Sequence, residues 1–211
     1  MIVVVEHLEP CINRWILAEY SYVASLFPGR TWFTNVRRGA SALRKLGKVF
    51  SESCVDLLRN RKVVVLDPQA PKPLTRDDLL SAEFVVIGGI MGSHPPEGRT
   101  KRFLTDRMPW AEPRNLGREQ MTIAGAARVL KLVEDGAELS SVRIVRGLRI
   151  AEELGKGVSH VIELPYAFPA REDGSPDLPP RYLEIVREYA VVYEQRVLRS
   201  ADECVDDYDD S

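Results

Sequence analysis

Histidine and cysteine are scarce in this chain, with three of each among 211 residues. Cys11, Cys54 and Cys204 show no metal-ligand spacing and are odd in number, so the reading is no metal and reduced thiols in a cytosolic setting. No apolar run approaches the roughly 20 residues that span a bilayer, and no membrane association is expected. The opening MIVVVEHLEP is too short for a signal peptide and lacks its basic start; it reads as a first strand, and the location as cytoplasmic. Internal repeats and low-complexity linkers are absent too. Neither a Ser-His-Asp nor a Cys-His arrangement can be assembled.

What is present describes one substantial core. The chain is 45% apolar and 28% charged, ordinary for a soluble globular protein. Its net charge is −2, but the distribution is uneven. The final ADECVDDYDDS carries Asp202, Glu203, Asp206, Asp207, Asp209 and Asp210 with no base, which leaves the body at +4. Residues 1–200 therefore read as a single domain and 201–211 as an acidic, disordered tail.

Apolar runs alternate with helical spacing. Strands are predicted at Ile2–Val5, Thr31–Val36, Val63–Leu66 and Phe84–Ile87, with later ones at Val142–Val145 and Val158–Leu164. Helical patterns fall at residues 12–27, 40–46, 52–59, 75–80 and 118–134. A last amphipathic helix runs through Tyr182, Ile185, Val186, Tyr189, Val192 and Val197. Strands separated by helices imply a parallel α/β sheet.

The most informative stretch is Phe84 to Thr100, FVVIGGIMGSHPPEGRT. A buried strand runs into a Gly-rich loop stiffened by Pro95 and Pro96, the position where open α/β sheets bind ligands. Gly88, Gly89 and Gly92 remove Cβ atoms, so a ligand can lie against bare backbone. No Lys-Ser or Lys-Thr follows, so this is not a P-loop. The prolines forbid the immediate helix a dinucleotide fingerprint needs. A bland alternative is a tight strand–loop connection.

LGREQMT (Leu116 to Thr122) reads as a Gly turn feeding a helix N-terminus, with small residues Ala124 to Ala127 behind it. Its alternative is tight helix–sheet packing. Glu19 interrupts an apolar stripe formed by Trp15, Ile16 and Val23, where a carboxylate is costly unless paired or used. Glu6, His7 and Glu9 follow the first strand, and Asp67 follows another. His94 lies in the Gly loop, where a general base, a loop hydrogen-bond donor and neither role are the alternatives. Arg99, Lys101 and Arg102 form a basic segment beside it.

VVVEHLEP, WILAEYS, VVVLDPQA, GGIMGSHPPEGRT and LGREQMTIAGAARVLKLV, in this order, resemble the archaeal/eukaryotic SPOUT methyltransferase family that includes the yeast ribosomal-protein arginine methyltransferase. The resemblance covers roughly Met1 to Pro180. It implies an α/β, parallel-sheet SPOUT fold with a C-terminal trefoil knot. It also implies S-adenosyl-L-methionine held by three loops: Gly88 to Gly92, Leu116 to Thr122, and the region of Leu164-Pro165. Carried over, Gly88, Gly89, Ile90, Gly92, Leu116, Gly117, Met121 and Thr122 hold the cofactor. Glu19 and Glu6 orient an acceptor guanidinium, Arg99 braces the loop or the cofactor carboxylate, and His94 is a further catalytic candidate. The implied activity is methylation of an arginine of a ribosomal protein. An rRNA or tRNA methyltransferase, using the basic segment, and a non-catalytic cofactor-binding ribosome-associated module are the alternatives. Monomer and homodimer stay open.

Overall fold

The computed structural model describes residues 1–91, 97–153, 159–188 and 204. Six strands form one sheet: β1 (Ile2–His7), β2 (Thr31–Thr34), β3 (Lys48–Val49), β4 (Val63–Leu66), β5 (Phe84–Gly89) and β6 (Glu112–Arg114). Their order across the sheet is β3-β2-β1-β5-β4-β6, and every neighbouring pair is parallel. Parallel sheets of this kind are covered on both faces, so central strands are apolar throughout. Val3, Val4 and Val5 of β1 are all fully buried.

One face packs on α1 (Arg14–Leu26), α4 (Arg76–Ser81) and α6 (Ile123–Glu134), through Ile16, Tyr20, Val23, Leu79, Leu130 and Val133. The other packs on α3 (Cys54–Leu57) and on Leu104 and Met108, which follow α5 (Arg99–Phe103). Helix α2 (Ala40–Arg44) buries Leu43 against the first face. The predicted short helix at 75–80 is α4, and its start has a physical cause. The Thr75 hydroxyl accepts from the Asp78 amide, and the Asp78 carboxylate accepts from the Thr75 amide.

Two predicted elements differ. The helix expected from Arg118 begins at Ile123. The Ala167 amide donates to the Gln120 carbonyl at 2.8 Å, and Met121 forms a parallel bridge with Ala167. That pairing holds 120–121 extended until the Thr122 side chain, accepting from the Gly125 amide, opens α6. The late strands also do not join the parallel sheet. β7 (Ile144–Glu153) and β8 (Ser159–Pro169) form a separate antiparallel hairpin. Leu164, the last residue of the predicted strand, pairs with Leu148 inside that hairpin, and Pro165, which the resemblance placed in a third cofactor loop, also lies within β8. A third apolar cluster joins Ile150, Leu164 and Phe168 to Tyr182 and Val186 of a final helical stretch, residues 182–188. The remainder of the predicted last helix lies outside the described residues.

The cysteines correct the expectation of reduced thiols throughout. Cys11 and Cys204 form a disulfide across 193 residues of sequence, while Cys54 is a buried free thiol. A separation of that length leaves no local spacing to read. One residue of the acidic tail is thus tied to the body just before α1; the rest of the tail lies outside the described residues. No described helix is long and apolar enough to cross a membrane.

Candidate active site

A cavity of about 330 Å³ opens at the carboxyl ends of the neighbouring strands β4 and β5. Leu66 to Gln69 form one wall, Ile87, Gly88 and Ile90 a second, Glu97 to Thr100 a third, and Leu116 to Ile123 with Ala126 a fourth. Parallel strand ends place loops together there, so the location follows from topology. Of the expected cofactor residues, Gly88, Ile90, Leu116, Gly117, Met121 and Thr122 line this cavity. Gly92 and His94 lie outside the described residues.

The two adjacent glycines have different reasons to be glycine. A Cβ on Gly88 would stand 3.4 Å from both Ile90 and Thr100, ordinary contact, so its absence leaves room at the wall. A Cβ on Gly89 would collide with the Tyr20 hydroxyl and lie 2.7 Å from the Glu6 carbonyl oxygen. Gly89 is a packing glycine and does not line the cavity. Gly117 has φ of 108°, which suits glycine in the turn that LGREQMT makes.

Arg99 and Glu9 hold the Gly loop by both ends. Glu9 Oε1 accepts from the Met91 amide at 2.9 Å and from Arg99 Nη1 at 3.1 Å, and Arg99 Nη1 also donates to the Met91 carbonyl at 3.3 Å. Arg99 is therefore a loop brace, not a free cation. Lys101 pairs with Asp106, and the Arg102 guanidinium lies 5.2 Å from the Phe103 ring centroid. Asp67 is also engaged: its Oδ1 accepts from the Gln69 amide and its Oδ2 from the Thr105 hydroxyl.

Glu6 departs from the acceptor role expected of it. Its carboxylate points toward α3, where it accepts from the Thr34 hydroxyl at 2.5 Å, the Ser53 hydroxyl at 2.6 Å and the Cys54 amide at 2.8 Å. Those three donors account for its burial and make it a structural tie between β1, β2 and the start of α3. The same charge helps push the Cys54 thiol well above its ordinary value, after burial itself. His7, next along β1, is also buried, and its Nδ1 lies 2.9 Å from the Tyr20 hydroxyl. Desolvation lowers its pKa from 6.5 to about 4, so the ring is neutral at physiological pH.

Glu19 is fully buried on α1, and Oε2 accepts from the Ala124 amide at 2.6 Å, in the first turn of α6. Its Oε1 is the buried side-chain oxygen that finds no hydrogen-bond partner among the described residues. Burial raises its pKa. The Ala124 amide opposes the shift, as do the Tyr182 hydroxyl, the Trp15 indole and the Thr122 hydroxyl, which face the carboxylate without bonding Oε1. Thr122 is shared between this carboxylate's surroundings and the cavity wall, so Glu19 stands one residue behind the cavity. Sequence flagged Glu19, but not Tyr182: it read as one more core position in an amphipathic pattern.

The cavity suits an adenosyl group carrying a sulfonium chain. Its apolar lining (Leu66, Ile87, Ile90, Leu116, Met121) and the bare backbone at Gly88 accept a flat heterocycle, and Gln69, Asp67 and Thr100 offer polar contacts.

A family profile described as Protein arginine N-methyltransferase SFM1-like matches residues 2–192. Protein arginine N-methyltransferase SFM1 of Saccharomyces cerevisiae is 26% identical over 205 residues, covering 88% of this chain and 93% of the yeast protein. The crystal structure of yeast SFM1 complexed with SAM superposes with a TM-score of 0.77 at 24% identity, over 90% of this chain and 91% of that one. The complex with SAH gives 0.76 at 24% identity, over 88% and 94%. A Trm10 structure from Thermococcus kodakaraensis shares the fold more distantly, with a TM-score of 0.52 at 13% identity, over 66% of this chain and 95% of that one. The chain belongs to the SFM1-like family of protein arginine N-methyltransferases.

Proposed function

We propose that this protein methylates an arginine side chain of a protein, with a ribosomal protein as the expected target, and that Glu19 receives the acceptor guanidinium. S-adenosylmethionine, bound in the β4–β5 cavity, supplies the methyl group. Gly88, Ile90, Leu116, Gly117, Met121 and Thr122 would hold it, largely by shape and backbone. The Glu9–Arg99 pair would hold Met91 and Arg99 together beside that cavity.

One observation carries the reading: the orphaned Oε1 of a fully buried Glu19 directly behind the cavity wall. A guanidinium stays protonated at neutral pH and must lose a proton as its nitrogen becomes a nucleophile. A carboxylate with a free oxygen and a raised pKa can orient two N–H groups and then hold that proton. Glu19 Oε2 is fixed by the Ala124 amide, so Oε1 is held at a defined place. The basic segment favours protein over RNA, because Arg99 and Lys101 are already in ion pairs.

The test is transfer of labelled methyl from S-adenosylmethionine into ribosomes, free ribosomal proteins and total RNA that lack the modification. Label removed by protease and recovered as methylarginine is the expected result. Label removed by ribonuclease would replace the reading with an RNA acceptor. Cofactor binding without transfer to any of them would favour a non-catalytic module.

A further inference from the structure

Surface cations on this fold commonly sit beside acids: Arg14 pairs with Glu188, Arg61 with Glu83, Lys101 with Asp106 and Arg146 with Glu119. One stretch breaks that pattern. Residues 20–51 contain six Lys or Arg and no Asp or Glu. Arg30 reaches a carboxylate, that of Glu134. The other five, Arg37, Arg38, Arg44, Lys45 and Lys48, are all exposed and form no ion pair among the described residues.

The fold gathers these five. Arg37 and Arg38 follow β2 at its carboxyl end, Arg44 ends α2, Lys45 is the next residue, and Lys48 opens β3 beside Trp32 of β2. β3 is an edge strand, so the five cations form a stripe along one edge of the sheet. The Lys48 ammonium lies 5.5 Å from the Trp32 ring centroid, an attraction that leaves its charge in place. At one end of the stripe, Arg37 and Arg38 join Asn35 and His7 around a second cavity, of about 280 Å³, at the carboxyl ends of β1 and β2. Glu9 also lines this cavity, and Arg99 offsets its charge.

Like charges held together repel one another and favour an anionic partner. An acidic protein and a nucleic acid are the two classes of such partner. Specific protein interfaces pack apolar and aromatic anchors into a dry centre. The stripe offers no such anchor: the one large apolar side chain that stands exposed among the described residues is Leu80, on α4, between β4 and β5. Charge without an apolar anchor matches a sugar–phosphate backbone, which is bound by neutralising its phosphates. The planar forks of Arg37, Arg38 and Arg44 suit phosphate oxygens.

We propose that the stripe Arg37, Arg38, Arg44, Lys45 and Lys48 binds the phosphate backbone of RNA, as a docking platform and not as the methyl acceptor. It would bring the enzyme to protein acceptors carried on RNA. The cofactor cavity lies elsewhere on the sheet, at the ends of β4 and β5, and includes none of the five cations. The inference does not depend on Glu19 or on which arginine is methylated.

The experiment titrates a fluorescein-labelled single-stranded RNA of about 20 nucleotides with the full-length protein, by anisotropy, from about 50 to 200 mM salt. Affinity should fall with salt at a log–log slope of about −3.5, about 0.7 for each of five phosphates neutralised. Arg37→Ala combined with Arg38→Ala should weaken binding about tenfold or more and flatten the slope by about 1.4. Arg146→Ala, which removes an exposed but paired cation, should stay within about twofold. S-adenosylmethionine affinity, read by calorimetry, should be unchanged in the double variant. Absence of RNA binding at the lowest salt, or full binding by the double variant, would overturn the surface. Equal competition by poly-glutamate of the same charge would overturn RNA in favour of an acidic protein partner. Methyl label entering the RNA would make it an acceptor and overturn the docking role. Failure of methyl transfer to protein would count against the arginine reading alone, since anisotropy decides the stripe.

Discussion

Glu6 and Glu19 are both carboxylates removed from water on this fold, and they are treated in opposite ways. Glu6 ends β1 with three donors on its two oxygens, from Thr34, Ser53 and Cys54. Among the described residues Glu19 takes one hydrogen bond, from the Ala124 amide, and its Oε1 takes none, with the Tyr182, Trp15 and Thr122 side chains facing the carboxylate. Burial without full compensation costs stability, whereas burial with three hydrogen bonds can hold elements together. The first carboxylate is spent on structure. The second is kept in reserve, and a reserved carboxylate behind a ligand-sized cavity is what an acceptor site needs.

Substitution should separate the two. Glu19→Gln keeps an acceptor for the Ala124 amide but removes the charge. Methyl transfer should fall by roughly 10³ or more, about 4 kcal/mol of transition-state stabilisation, in a single-turnover assay. Retained transfer would break the contrast. Glu6→Ala should destabilise by about 3 kcal/mol in urea unfolding, because three donors lose their acceptor. A loss as large from Glu19→Gln would place both residues in the structural class.

The pH dependence sharpens the same contrast. Burial raises the Glu19 pKa in the folded chain, so its contribution to stability is fully present below the unfolded value near 4.5 and is lost as pH rises through the raised value. Glu19→Gln should therefore gain on the wild type as pH rises, read by urea unfolding at acid and neutral pH. His7 works in the other direction. Its folded pKa is depressed to about 4, so stability is present above 6.5 and falls as pH drops from 6.5 toward 4. The loss should reach up to about 3 kcal/mol, and thermal melts of His7→Gln should lack that slope.

A smaller effect distinguishes the two loop glycines. Gly89→Ala forces a Cβ into Tyr20 and the Glu6 carbonyl and should lower the melting temperature. Gly88→Ala meets only ordinary contacts, so the fold should persist while S-adenosylmethionine affinity drops by about 1 kcal/mol, read by calorimetry. Equal stability losses would remove the distinction between packing and cavity wall.

The sequence made one side of the site readable and left the other hidden. A parallel sheet, a Gly-rich loop after β5 and a turn at Leu116–Thr122 are local patterns, and loops at parallel strand ends converge by topology alone. Gly88, Ile90, Leu116, Gly117, Met121 and Thr122 therefore emerge together on one cavity. Glu19 stood out because charge on an apolar stripe needs a reason. Its surroundings could not be read in that way. Trp15 lies one turn earlier on the same helix and was readable, but Ala124 and Tyr182 come from two other parts of the chain and meet Glu19 only by packing. Glu6 looked equivalent to Glu19 because its donors, Ser53 and Cys54, lie 47 and 48 residues away. The extended segment before α6 was hidden for the same reason: its partner is β8, distant in sequence.

The most direct test of the reserved carboxylate is its own titration. Carbon-13 NMR of glutamate-labelled protein, with the Glu19 resonance assigned by its loss in Glu19→Gln, should show a carboxyl titrating above the ordinary 4.5, as an unsatisfied buried group does. A Glu19 carboxyl titrating at or below 4.5 would mean that its charge is already compensated, and would contradict the account.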